Sequence, residues 1–232
     1  MKIVYENENV TLWHGDCREW SGKADAVVTD PPYGLGDKLH RPGPGEWSGN
    51  WGDGAPEWDR QTAEGVVELV ATFPTAIVWG GNYYALPPVR GWLIWDKMQE
   101  HSSGHAELAW TNIDIPIRTF RLSRVQAYSR MGKEHPTQKP IELMQWCLQW
   151  VPTGAIVFDP YAGSGTTLIA ALETGRKAIG IEIDERWVEV ARRRLERWHA
   201  QGRLDFGTAN VTEQTRAGSA SPGSAGSAGG VP

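Results

Sequence analysis

Apolar residues fall along this chain in two rhythms. Short runs occur at Ala26–Thr29, Thr75–Trp79, Gly91–Trp95, Ala155–Phe158 and Ala178–Ile181. Such brief, unbroken runs fit strands covered on both faces, as in a parallel sheet. Three of them stop at an acid: Asp30, Asp159 and Glu182. Between Pro140 and Pro152 the spacing becomes that of a helix, with Met144, Cys147, Leu148 and Val151 on one face. One proline suits the first turn and the other stops the segment. Thr166–Thr174 predicts a second helix, ended by Gly175, a residue that accepts the left-handed turn of a C-terminal cap. A third is expected over 184–199, with Trp187, Val190, Ala191, Leu195 and Trp198 on the apolar face and Arg192, Arg193, Glu196 and Arg197 opposite. Strands alternating with helices predict an α/β, doubly wound sheet.

A chain of 232 residues suits a single domain of ordinary core size, placed here at 1–205. Beyond it, 208–232 is dominated by Gly, Ser and Ala. So little apolar surface cannot offset the entropy of ordering, which predicts a disordered tail. No apolar run approaches the roughly 20 residues of a bilayer span, and Met1–Glu6 holds no apolar signal core. With Cys17 and Cys147 as the sole cysteines, no disulfide framework is expected, and the setting points to the cytoplasm. His101 and His105 are four apart but lack further ligands, so no metal site is expected.

Two segments carry candidate chemistry. In the first, Phe158-Asp159-Pro160-Tyr161-Ala162-Gly163-Ser164-Gly165-Thr166 joins a strand to a helix through a glycine turn. Glycines let backbone approach a ligand closely, and a helix start offers unpaired N–H groups. Glu182 follows at the end of the next strand, where a carboxylate accepts hydrogen bonds from a ribose diol. That arrangement serves any adenosine-type cofactor. A P-loop is excluded by the missing Lys-Ser/Thr ending, and the dinucleotide pattern fails at Leu168. A plain connecting turn is the alternative.

The second segment, Asp30-Pro31-Pro32-Tyr33, places a carboxylate, rigid carbonyls and an aromatic ring at a strand end, where open α/β sheets bind ligands. The amino group of a nucleobase is a poor nucleophile because its lone pair is delocalised. Hydrogen bonds from its two protons to Asp30 and to the Pro31 carbonyl would localise that pair, while Tyr33 stacks on an extruded base. Catalysis of this kind rests on positioning and electrostatics. A strand-ending turn, capped by Asp30, is the structural alternative.

These residues resemble the DNA amino-methyltransferases. DPPY at 30–33 looks like their catalytic motif and FDPYAGSGTT at 158–167 like their cofactor loop. GIEIDERWVEVARRRLE at 180–196 looks like the acidic strand and helix that follow, HPTQKP at 135–140 like the segment before the loop, and Leu12–Cys17 like a Gly-Asp element near the cofactor adenine. With the catalytic motif first, the order is that of the permuted beta class. WGGNYY at 79–84, GWLIWDK at 91–97 and HAELAW at 105–110 are similar to small phage and prophage adenine N6-methyltransferases. The resemblance implies a circularly permuted, Rossmann-like fold and S-adenosylmethionine as cofactor. It implies Asp30, Pro31, Pro32 and Tyr33 as catalytic residues. Asp159, Pro160, Ala162, Gly163, Ser164, Gly165 and Thr166 would surround the methionine part, with Glu182 on the ribose and Asp16 near the adenine. Thr137 and Lys139 would approach the cofactor carboxylate, although a solvated helix-start role is equally open for Lys139. DPPY leans toward adenine N6, with cytosine N4 as the alternative. An RNA substrate, an NAD-type oxidoreductase and a DNA-binding module without catalysis are the further readings. Relatives of this class suggest a homodimer.

The chain is acidic, with a net charge of −5, yet residues 115–140 carry Arg118, Arg121, Arg124, Arg130, Lys133 and Lys139 against the lone acid Glu134. The stretch 115–134 is therefore the expected contact with DNA phosphates, through Arg118, Arg121, Arg124, Arg130 and Lys133. Residues 35–59, rich in glycine and holding Trp47, Trp51 and Trp58, read as a flexible flap over the target base, or as a rigid loop packed on the sheet.

Overall fold

The computed structural model describes residues 1–36, 59–98, 104–128, 134 and 137–201. The flap proper, the tail, Arg130 and Lys133 lie outside the described residues.

One nine-stranded sheet organises the described residues, in the order β1-β2-β9-β8-β3-β4-β6-β5-β7. Its strands are β1 (Lys2–Glu6), β2 (Val10–His14), β3 (Ala26–Thr29), β4 (Ala76–Trp79), β5 (Trp92–Asp96), β6 (Ala106–Thr111), β7 (Arg118–Arg121), β8 (Ile156–Asp159) and β9 (Lys177–Glu182). Helices α1 (Val66–Ala71), α2 (Arg124–Ala127), α3 (Ile141–Leu148), α4 (Thr166–Glu173) and α5 (Glu185–Gln201) complete the fold. The five predicted strands and three predicted helices are all present.

Each central run is buried because successive residues feed two cores. Val28, Ile77 and Val157 pack with Leu143, Leu168 and Leu195 of the α3–α4–α5 side. Their neighbours Val27, Val78 and Phe158 pack with Val66, Val70 and Phe73 on the α1 side. Alternate side chains of a strand point to opposite faces, so a strand with both faces covered reads as unbroken apolar sequence. Cys147 is fully buried in the first core, a structural position. On α5 the buried set is Val188, Ala191, Arg194 and Leu195, so the helix faces the sheet slightly rotated from the expected apolar stripe.

The five expected strands run in one direction, and two strands of the sheet are reversed. β2, β9, β8, β3 and β4 are parallel, but β1 runs antiparallel to β2 and β6 antiparallel to both β4 and β5. Strands β4 and β5 thus point the same way with a reversed strand between them. The start of β6 therefore reaches the edge where the parallel strands end, and Glu107 stands opposite Trp95 of β5. Within the parallel part, β3–α1–β4 precedes β8–α4–β9 in the chain while β3 and β8 lie side by side. This is the permuted order. Chain direction around the sheet switches between β3 and β8, and ligands of open α/β sheets bind at such a point. Among the described residues no helix is long and apolar enough to cross a membrane.

Candidate active site

A cavity of about 530 Å³ opens at the carboxyl edge of the sheet, lined by Asp30 and Pro32 after β3, Asp159 and Tyr161–Ser164 around the glycine turn, Thr166 at the start of α4, and Glu182 at the end of β9. Thr137, Lys139, Ile183 and Trp187 also face it. The volume lies within the roughly 300–1,000 Å³ usual for small-molecule sites.

The glycine-turn side is built from backbone. Gly163 and Gly165 hold φ of 50° and 78°, values that L side chains rarely adopt, and Gly165 caps α4. A Cβ on Gly163 would meet nothing closer than 4.0 Å, so the turn stands open toward the cavity. Gly163 N–H donates to Glu182 Oε2 at 2.7 Å and Asp184 N–H to Oε1 at 2.9 Å. Each oxygen keeps a further lone pair for a diol. Burial raises this carboxyl above its ordinary value. Asp159 is 2% exposed and accepts from Thr29 Oγ1 at 2.7 Å and Tyr161 N–H at 3.1 Å. Burial pushes its carboxyl up to about 6, with Thr167, Thr29 and Tyr161 offsetting part of the shift. Beneath the turn, buried Arg194 donates to Ser164 O at 2.6 Å, Ser164 Oγ at 2.8 Å and Thr166 Oγ1 at 3.1 Å, fixing the loop from behind. The residues present fit an adenosyl cofactor: an open glycine cradle, a helix start and an acid poised for a diol.

Not every expected cofactor residue lies in the cavity wall. Ala162, Gly163, Ser164, Thr166 and Thr137 do; Pro160 and Gly165 shape the turn from behind. Asp16 is turned to Arg18, whose Nη2 lies 2.6 Å away, and it caps a short 3-10 turn. Gly15 N–H donates to Glu182 O at 3.0 Å, which keeps this Gly-Asp element beside the acid of β9.

The Asp30 side is built from side chains. Asp30 Oδ1 accepts from Tyr33 Oη at 2.5 Å and Oδ2 from Lys139 Nζ at 2.6 Å. Lys139 is 5% exposed, so the solvated-lysine reading is excluded. Its ammonium also lies 3.0 Å from Glu107 Oε2 and above the rings of Tyr33 and Trp79, 5.3 and 5.9 Å from their centroids. Two half-buried acids thus hold this cation on the Asp30 side of the cavity, whose wall it shares with the expected cofactor residues. Glu107 Oε1 in turn meets Lys97 Nζ at 2.8 Å, which closes a neutral chain Lys97–Glu107–Lys139–Asp30. Burial raises Asp30 above the ordinary carboxyl range, against the pull of Lys139. Burial also pushes Glu107 upward, but the two ammoniums outweigh it and hold the group down at about 2.

Around this chain the DPPY turn is locked. Tyr84 Oη donates to Pro32 O. The Asp59 carboxylate accepts the N–H groups of Tyr33, Gly34 and Leu35 at 2.6, 3.0 and 3.3 Å. Tyr33 stacks on Tyr83 with centroids 5.0 Å apart. A Cβ on Gly80, at φ 66°, would fall 2.0 Å from the Tyr33 ring, which explains the glycine of WGGNYY.

The DNA methylase model (N6_N4_Mtase) matches residues 78–193, half of the sequence. This chain belongs to the DNA methylase family. The matched span carries Glu107, Lys139 and the whole glycine turn, while DPPY precedes it and is joined to it through the β3–β4 and β3–β8 pairings. The chain is 40% identical over 83 residues to the DNA adenine methyltransferase YhdJ of Escherichia coli (strain K12), a stretch covering 35% of this chain and 28% of YhdJ. It is 24% identical to the type II methyltransferase M2.MboI of Moraxella bovis, across 82% of this chain and 88% of that one. The matched stretches span under a third of the length of YhdJ and of a second curated relative. The crystal structure of an M1.HpyAVI–SAM complex shares the fold, with a TM-score of 0.53 at 20% identity, covering 80% of this chain and 98% of that one.

Sequence reasoning missed Glu107, Lys97, Asp59, Tyr84 and Arg194. A signal existed for Glu107, as the one acid inside the apolar run Ala106–Trp110. Asp59 and Tyr84 act on a turn more than twenty residues away in sequence, and no local pattern marks them.

Of the basic residues, Arg121 ends β7 and pairs with Asp96 at 3.0 Å. Because β7 is parallel to β5, Arg121 stands on the same sheet edge as the cavity. Arg118 begins that strand, at the opposite edge, and Arg124 starts α2.

Proposed function

We propose that this chain is an S-adenosylmethionine-dependent DNA methyltransferase acting on the exocyclic amino group of adenine, N6. The observation that carries this reading is one cavity with Asp30 of a DPPY turn at one side and the Gly163–Glu182 cradle at the other. Two substrates can meet there at the switch point of the sheet.

Glu182 holds a ribose diol, and Asp159, Gly163, Ser164 and Thr166 surround the aminoacyl part, with Thr137 beside them. Bound S-adenosylmethionine supplies an electrophilic sulfonium methyl. Asp30 and the Pro31 carbonyl accept hydrogen bonds from the two amino protons, which localises the nitrogen lone pair for attack on the methyl carbon as the carbon–sulfur bond breaks and the neutral thioether leaves. The negative charge of Asp30 then stabilises the positive charge that grows on nitrogen. Tyr33, fixed by Asp30, Tyr83 and Gly80, presents a ring for the extruded base. Arg121 and Arg124, with Arg118, Arg130 and Lys133, contact phosphates of the DNA. Residues 1–205 form the catalytic domain, the protein works in the cytoplasm, and a homodimer is the expected assembly, checked by light scattering in solution.

Incubation with DNA and isotopically labelled cofactor, followed by mass spectrometry of the nucleosides, is expected to yield N6-methyladenine. N4-methylcytosine would overturn the base assignment, and label found in RNA alone would overturn the substrate.

A further inference from the structure

Asp30 has a competitor problem. Both of its oxygens are engaged by the protein itself, Oδ1 by Tyr33 and Oδ2 by Lys139 at 2.6 Å. An incoming amino group is a neutral and therefore weaker donor than an ammonium. A cation fixed on Oδ2 also cancels the negative charge that the transition state needs.

Glu107 offers the remedy. Its Oε2 is buried and lies 3.0 Å from Lys139 Nζ, against 2.6 Å for Asp30 Oδ2. An ammonium carries three hydrogens; Asp30 and Tyr33 engage two of them, which leaves the third for Glu107. Oε1 is held by Lys97 at 2.8 Å, so Glu107 is anchored with its second oxygen turned to the active site. The reversed direction of β6 puts it there. The ammonium already lies within 3.0 Å of both acids, so a rotation at the end of the Lys139 side chain suffices to shift it from Asp30 toward Glu107.

We propose that Glu107 is a positioning residue that receives the Lys139 ammonium when the target amino group arrives, clearing Asp30 Oδ2 for the substrate. It touches neither base nor cofactor and acts through Lys139. With Glu107 neutral, Lys139 has one acid left and stays on Asp30.

The inference rests on the proposed amino-methyl transfer, so the wild type is assayed first on unmethylated genomic DNA, and a modified position is mapped. A wild type that methylates nothing overturns that reading itself. With an active wild type, two duplexes are compared in binding without cofactor: one carrying the mapped base and one abasic there. Glu107→Gln is expected to lose roughly 10- to 100-fold in single-turnover rate, the worth of one hydrogen bond to a charged group. It should weaken binding of the base-containing duplex while leaving the abasic duplex within about 2-fold. The double variant Glu107→Gln/Lys139→Met, which restores charge neutrality and removes the competitor, should regain base-dependent binding. Equal weakening on both duplexes, or an unchanged turnover rate, would overturn the inference and leave Glu107 a structural residue. If Glu107→Gln does not fold, Glu107→Asp, which keeps the charge but withdraws it by one methylene, is read by the same criteria.

Discussion

The two sides of the cavity are made differently. On the Glu182 side the contacts come from backbone: glycine φ values, N–H groups of a turn and a helix start, all within residues 158–184. On the Asp30 side they come from charged side chains 30, 97, 107 and 139, on four separate segments of the chain. A cofactor of fixed shape is well served by a rigid backbone mould. A base that must enter, lose its competitors and leave is better served by charges that can change partners.

That contrast makes ordered predictions. Asp30→Ala should lower methyl transfer by about 10²–10³-fold, the scale of removing one electrostatic stabiliser. Titration calorimetry should find cofactor affinity within a few-fold of wild type; a matching loss of cofactor binding would merge the two sides into one. Glu182→Ala should do the reverse, weakening cofactor binding by roughly 10- to 100-fold while DNA binding in a filter assay holds.

A smaller effect separates folding from function on the backbone side. Burial raises Asp159 to about 6, against an unfolded value of about 3.9. Between those values the folded state binds more protons than the unfolded state, so stability falls as pH rises through this window and stays lowered above it. Asp159→Asn should therefore resist urea better than wild type at pH 7, by at most about 3 kcal/mol, and the gain should vanish near pH 4. A gain that persists at pH 4 would assign the effect to packing. The smallest change is expected outside the cavity: Arg121→Ala should flatten the salt dependence of DNA binding by about 0.9 per lost phosphate contact. An unaltered slope would remove Arg121 from the DNA interface.

The same contrast decides what was readable. The mould side is contiguous in sequence, so strand, glycine turn, helix and distal acid stood in one window, and α4 and β9 formed within a residue or two of expectation. The charged side assembles through long-range pairing. Lys139 read equally well as a solvated lysine because nothing near it in sequence reveals two acids 109 and 32 positions upstream. HAELAW stands out through the family resemblance and not as a predicted strand, because Glu107 interrupts the apolar run of β6. β1 and β7 are edge strands with exposed residues, which carry no burial pattern to read.

One carboxylate has a consequence for how this protein can diversify. Asp59 grips the amides of residues 33–35, so two points of the chain 24 to 26 residues apart are tied in a single knot. The entropy of joining two such points grows only logarithmically with the length between them. Insertions or deletions between residues 36 and 59 are therefore expected to leave the DPPY turn in place, a tolerance open to evolution and to an engineer alike.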